Sequence, residues 1–282
     1  TIKQEEEASP WAALKSEAKI IGKPKWRSML GYVADLHEMS THNPMFPLDL
    51  PWEEIGPGYT FGTAFGHWDI VHQIVDVLPS YPQHALNQLL NNIKNQELNG
   101  MIPGSIWMPG THHRQRTEAH WDKKDQGHPP VWVVAVQDYL DLTDDKTELP
   151  KFYQAVVKQI DWFETCRKAT VTGEGFYYTD ITLRKWESGV DNGVRFIDAP
   201  KGEFACIDAT SHVYWLYQYA EKWARTLGQD PVPFEKRVKE LKDFQKISLE
   251  AGESKTIKFI IDKEKLSFYN NQLQWVAEPG AF

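Results

Sequence analysis

Apolar residues recur at helical spacing through most of the first 240 residues, which limits that part of the chain to a helical frame. Residues 26, 29, 30, 33 and 36 form one such stripe within 25–39. Further stripes predict helices over 67–78, 82–97, 130–142, 149–169 and 208–227, with another starting in 232–244. Pro82 follows a break at 80–82 and suits the first turn of its helix. Between the helices run long segments rich in Gly, Pro, His and Trp. The segment 99–128 is too long for an idle connection in a compact domain. The layout is one of helical hairpins whose loops gather at one end and carry function. After about residue 247 the pattern changes. Alternation in 256–260 and the run 266–269 read as short strands of a β-sandwich that cannot close alone.

A chain of 282 residues allows one large domain or two smaller ones. A net charge of -8 and a pI near 5.7 argue against nucleic acid or a membrane surface as partner. No apolar run approaches a membrane span, and the mean hydropathy is -0.53. Thr1 opens the chain without a start Met or a signal-peptide pattern, which fits a processed or trimmed chain. Cys166 and Cys206 lie outside any CxxC pair, so no zinc or disulfide framework is expected and the compartment stays open.

Twelve Trp is the unusual count. Trp52, Trp68, Trp107, Trp121, Trp132 and Trp186 sit beside Gly, Pro, His or Asp, as in a sugar-stacking cleft. Packing at helix ends uses the same residues. The stretch 186–195 is the most informative. Trp186 opens it, Glu187 and Asp191 follow four residues apart, and Asn192 and Arg195 come close behind. A polyhydroxylated ligand needs such acceptors, paired donors and an apolar platform. An Asp/Asn/Gly turn with an incidental charge pair would read the same way. His112, His113, His120 and His128 share one loop, and His67 and His72 flank Trp68 and Asp69. None has His-x-x-x-His spacing or Cys partners, so hydrogen bonding or substrate contact is expected, with no metal and no cofactor. The run at 5–7 and the Lys-rich 236–246 read as solvated surface.

Four motifs occur in order: Trp52-Glu-Glu-Ile-Gly-Pro-Gly-Tyr with Ala64-Phe-Gly-His-Trp-Asp, Asn99-Gly-Met-Ile-Pro-Gly, His128-Pro-Pro-Val-Trp, and Trp186-Glu-Ser-Gly-Val-Asp-Asn. Through them, residues from about 24 to 240 resemble glycoside hydrolases of family 63 and the related mannosylglycerate hydrolases. The resemblance implies a mainly α, partial (α/α)6 toroid with Asp191 as general acid. It places Trp68 and Asp69 in the innermost subsite, walled by Trp107, Trp132 and Trp186. Asn192 and Arg195 would bind substrate, Gln137 would lie on the inner rim, and Glu187 would support the site. The family continues Asp-Asn with Ser-Pro-Arg, whereas here Gly193 and Val194 precede Arg195.

The family's general base is a Glu on late helices for which this chain has no room. Glu53, Glu54, Glu187 and Glu203 are the nearby carboxylates, and none matches it. Residues from about 238 to 282 resemble instead part of the fibronectin-like C-terminal domain of family 3 β-glucosidases. The expected organisation is an incomplete toroid-like glycosidase domain over 1–240 and a β-rich tail over 241–282. Two functions follow from the resemblance. One is an inverting, exo-acting glycosidase for a short oligosaccharide or glycoside, α-linked. The other is a non-catalytic carbohydrate-binding remnant that lacks the base. Either takes a small carbohydrate. Val213, Leu216 and Trp223 would line an open toroid face, which a homo-oligomer or the docked tail is expected to cover.

Overall fold

The computed structural model describes residues 10–18, 23–57, 62–109, 120–121, 126–171, 174–179, 187–190, 204–235, 254, 256, 258, 268–269 and 275–276. Its helices are α1 (Pro10–Ala18), α2 (Arg27–Ser40), α3 (His67–Val77), α4 (Pro82–Lys94), α5 (Trp132–Thr143), α6 (Leu149–Cys166) and α7 (Ile207–Leu227). The fold is mainly α. Helices α3, α5 and α7 touch in succession, α4 packs on α3 and α5, and α6 packs on α7. This alternation of a continuous row with attached partners is that of an arc of an (α/α) toroid. The helices expected from apolar spacing between 67 and 227 are all present, with ends shifted by a few residues, as fraying ends do. Helix α1 is an addition. Its Trp11 is buried against the core, which gives a short and weakly patterned segment a reason to dock.

Two buried indoles knit the row together. Trp132, at the start of α5, is 0% exposed and donates from Nε1 to Gln159 Oε1 of α6 at 2.7 Å. Trp223 of α7 donates to Gln137 Oε1 of α5 at 3.0 Å. A buried indole N–H needs such an acceptor, and both Gln residues are themselves buried to supply it. Trp132 is therefore a core residue and offers no wall to a ligand. Gln137 is held between Trp223 and Asp141, with its Nε2 donating to Asp141 Oδ1 at 2.7 Å.

Three small antiparallel sheets complete the described fold. β1 (Thr41–His42) pairs with β2 (Trp52–Glu53). β3 (Ala64–Gly66) pairs with β4 (Ser105–Trp107), and β4 with β5 (His120–Trp121). The long segment 99–128 is thus partly sheet, and it brings Trp107 opposite Ala64, just ahead of α3. In the tail, β6 (Phe268–Tyr269) pairs with β7 (Trp275–Val276). The expected strand at 256–260 lies mostly outside the described residues, and Thr256 and Lys258 are exposed.

Val213, Leu216 and Trp223, expected on an open face, are buried. Among the described residues, the large exposed apolar side chains on or beside α2 are Trp26, Met29, Leu30, Tyr32 and Met39. Replacing Trp132 with Ala should destabilise the fold by about 3–5 kcal/mol, as for other large-to-small core changes. Urea denaturation measures this, and an unchanged midpoint would return Trp132 to the cleft.

Candidate functional site

Trp68 and Asp69 occupy the first turn of α3, directly after β3, so the small sheet sets where they stand. Trp68 is half-buried, its inner side on the core. Over it lies Gly189 with φ +72°, and a Cβ there would meet Trp68 Cε2 at 3.3 Å. Glycine both accepts the left-handed backbone and lets the 187–190 segment rest against the indole. Two imidazoles stand around the same ring. His72 is edge-on at 5.8 Å and His212 of α7 is at 6.3 Å between centroids. Trp107 of β4 is half-buried.

What holds the 187–190 segment is Glu187, which is 1% exposed. Arg167 reaches it twice, Nε to Oε2 and Nη2 to Oε1, each at 2.9 Å. The Gly127 N–H donates to Oε1 at 3.2 Å. The Thr179 N–H and hydroxyl donate to Oε2 at 2.7 and 2.9 Å. Five donors saturate a carboxylate, so Glu187 neither abstracts a proton nor binds substrate; it is an anchor. Arg167 stacks over Trp162 at 4.6 Å and donates to the Cys166 carbonyl. Burial works against its charge, but Glu187 above all, with Tyr177 and Cys166, outweighs burial and holds the guanidinium above its ordinary value. Arg167 carried no signal in the sequence, being one cation at a helix end twenty residues from its partner.

Glu53 is equally committed. It is fully buried, with His37 Nδ1 at 3.0 Å and His84 Nε2 at 2.7 Å from its oxygens. Burial pushes its carboxyl up, yet the bonds and charges of the two imidazoles prevail and hold it below the usual 4.5. Trp11 covers the cluster, stacked on His37 at 5.9 Å and edge-on to His84 at 5.0 Å. Glu54 is buried, with Oε1 at 3.4 Å from His42 Nε2. His128 is packed so closely against Gly104 that a Cβ there would lie 2.3 Å from its Cδ2. Burial drives its imidazole down to about 4.

Trp186, Asp191, Asn192, Arg195, Glu203, His112 and His113 lie outside the described residues, as do the side chains of His67, His120 and Trp121. Of the expected site, then, the structure joins Trp68 to the segment held by Glu187, with Asp69 beside Trp68. It moves Trp132 and Gln137 into the core. His212, whose ring lies near Trp68, is bonded to Tyr178 at 2.8 Å, and neither residue carries a local signal in the sequence. Among the described residues no group of His, Cys, Asp or Glu is arranged to hold a metal, and no helix is long and apolar enough to cross a membrane.

The family model described as mannosylglycerate hydrolase MGH1-like glycoside hydrolase domain matches residues 65–250, about two thirds of the chain. The chain belongs to that family. Its MGH1-like domain overlaps at 228–250 with a second match, a fibronectin type III-like domain over 228–282. The C-terminal region is similar to β-glucosidases. The periplasmic β-glucosidase of Salmonella typhimurium is 56% identical over 45 residues, 16% of this chain and 6% of that protein. The β-glucosidase BoGH3A of Bacteroides ovatus is 46% identical over 57 residues, 20% of this chain and 8% of that protein. The chain therefore spans under a tenth of the length of these relatives. No solved structure matches it. The MGH1-like match makes this a carbohydrate-active domain, and it covers both Trp68 and the Glu187 anchor.

Glu187→Gln should cost about 3–5 kcal/mol, because it leaves Arg167 buried without its counter-charge; chemical denaturation tests it. Acid should act through His128 and Glu53. Both have folded values below their unfolded ones, so their stabilisation is complete above the unfolded values and declines as pH falls. For His128 the decline runs from 6.5 to about 4, and for Glu53 it lies below 4.5. His128→Gln should abolish the upper part of the decline and Glu53→Gln the lower part, read from urea midpoints at stepped pH.

Proposed function

We propose that this chain is a glycosidase that cleaves a short, α-linked oligosaccharide or glycoside with inversion, using Asp191 as general acid. The observation that carries the reading is Gly189 resting on Trp68. Asp191 is two residues further along, and two residues of chain reach at most about 7 Å. In this reading the acid acts on a pyranose bound at Trp68. The part of Trp68 that the core and Gly189 leave open meets the sugar C–H groups, Asp69 accepts from hydroxyls, and Trp107 and Trp186 flank them. Asn192 and Arg195 orient the substrate further. The protonated Asp191 donates to the glycosidic oxygen as the bond to the anomeric carbon breaks. Water attacks the opposite face, and a second carboxylate takes its proton across a gap of roughly 6.5–9.5 Å.

A specific observation favours a second reading. Glu53 and Glu187 are both spent on buried ion pairs, so neither serves as that second carboxylate. A site with the platform and the acid but no base would bind carbohydrate without cleaving it. The β-linkage in the relatives' names bears on neither reading, because they match only 45 or 57 residues at the fibronectin-like end.

Release of monosaccharide from α- and β-linked disaccharides, with Asp191→Asn in parallel, separates the two. Turnover that drops by about 10²–10⁴ in the variant supports the glycosidase, the range expected for loss of a general acid. Binding without release supports the remnant.

A further inference from the structure

The aromatic platform has a polar edge that the proposed chemistry does not use. His212 projects from α7 one turn beyond Asp208, and its Nδ1 lies 2.8 Å from the Tyr178 hydroxyl. Tyr178 is 0% exposed and packs edge-on to Phe163 in the core, so it is a fixed point. The imidazole of His212 is half-buried, 6.3 Å from the Trp68 ring at an interplanar angle of 66°, with Trp215 behind it at 5.7 Å. Its Nε2 makes no hydrogen bond to any described residue and is not one of the sealed, unpartnered nitrogens such as His128 Nδ1. One nitrogen is tied to the core, and the other has no hydrogen-bond partner among the described residues.

We propose that His212 is a substrate-binding residue of this site, its Nε2–H donating to a hydroxyl of the pyranose stacked on Trp68. This rests on the carbohydrate reading above. Tyr178 has the complementary task. We assign Tyr178 as the donor to Nδ1, 2.8 Å away, which puts the single proton of a neutral imidazole on Nε2, so the ring meets the sugar as a donor. Burial favours that neutral ring by lowering the His212 pKa, against the opposing charge of Asp208. Holding the ring through Nδ1 also removes rotamer freedom before the ligand arrives, which spares that loss on binding. His72 of α3 is exposed and touches the same indole edge-on, without an equivalent anchor among the described hydrogen bonds.

The test exploits the two nitrogens. An Asn amide reaches about as far as Nδ1, and a Gln amide about as far as Nε2. Binding of methyl α-D-glucopyranoside, methyl α-D-mannopyranoside and methyl β-D-glucopyranoside to the full chain is followed by tryptophan fluorescence, with thermal melts as folding controls. His212→Gln should keep the wild-type affinity within about threefold. His212→Asn should weaken it about tenfold while keeping the melting temperature, the loss of one hydrogen bond. Tyr178→Phe, which frees the tautomer, should weaken it by about two- to threefold. The reverse order, with Asn retaining and Gln losing affinity, would make His212 only an anchor for Tyr178 and overturn the assignment. Sugar binding that is equal in all variants overturns the assignment and leaves the carbohydrate reading standing. A wild type that binds none of the three sugars overturns both.

Discussion

Arg167 and Glu187 are buried together, and neither could be buried alone. An isolated charge in the interior costs several kcal/mol, and a pair is tolerated only when its remaining donors and acceptors are satisfied. Here they are, because the backbone of Gly127, both donors of Thr179 and the carbonyl of Cys166 complete the arrangement. The consequence is positional. The end of α6, the 126–130 segment, the 176–179 segment and the 187–190 segment are all tied to one carboxylate. Three loops that would otherwise move separately become one wall, and the side of that wall bearing Gly189 rests on Trp68.

The same economy of charge shapes the chemistry. Two carboxylates that look available in the sequence, Glu53 and Glu187, are each consumed in holding the fold. Glu53 bridges α2 and α4 through His37 and His84, under the lid of Trp11. Glu187 has no lone pair left for water, and Glu53 is sealed from it, being 0% exposed beneath its two imidazoles. Around Trp68 there remain a part-open indole, Asp69 next to it in the first turn of α3, the His212 ring 6.3 Å away, and the anchored 187–190 segment.

The tryptophans divide along similar lines. Trp52, Trp132, Trp162 and Trp223 are buried, and their large flat surfaces cement helices to one another. Trp68, Trp107 and Trp215 keep part of their surface open. Composition alone could not separate these groups, since a Trp beside Pro or Gly fits a helix entrance as well as a sugar platform. For Trp132 the deciding fact is Gln159, twenty-seven positions further along the chain, which supplies a buried acceptor for the indole N–H.

Local periodicity was enough for the helices between 67 and 227, because burying one face of a helix imposes a 3.6-residue repeat that any reader of the chain can see. The motif order likewise placed Trp68, Asp69 and the 186–192 stretch in one carbohydrate-active domain. What the sequence alone could not assign was which of its polar residues are free. Glu187 was legible as part of a site but not as an anchor, since its guanidinium partner is twenty residues away and arrives only when α6 packs. Trp132 and Gln137 were legible as motif neighbours but not as core, since their partners come from α6 and α7. His212 was not legible at all, because nothing local distinguishes it until the fold brings its ring within 6.3 Å of Trp68. Periodicity is a property of neighbours in the chain, whereas burial and hydrogen-bond saturation are properties of neighbours in space, and only the folded arrangement decides them.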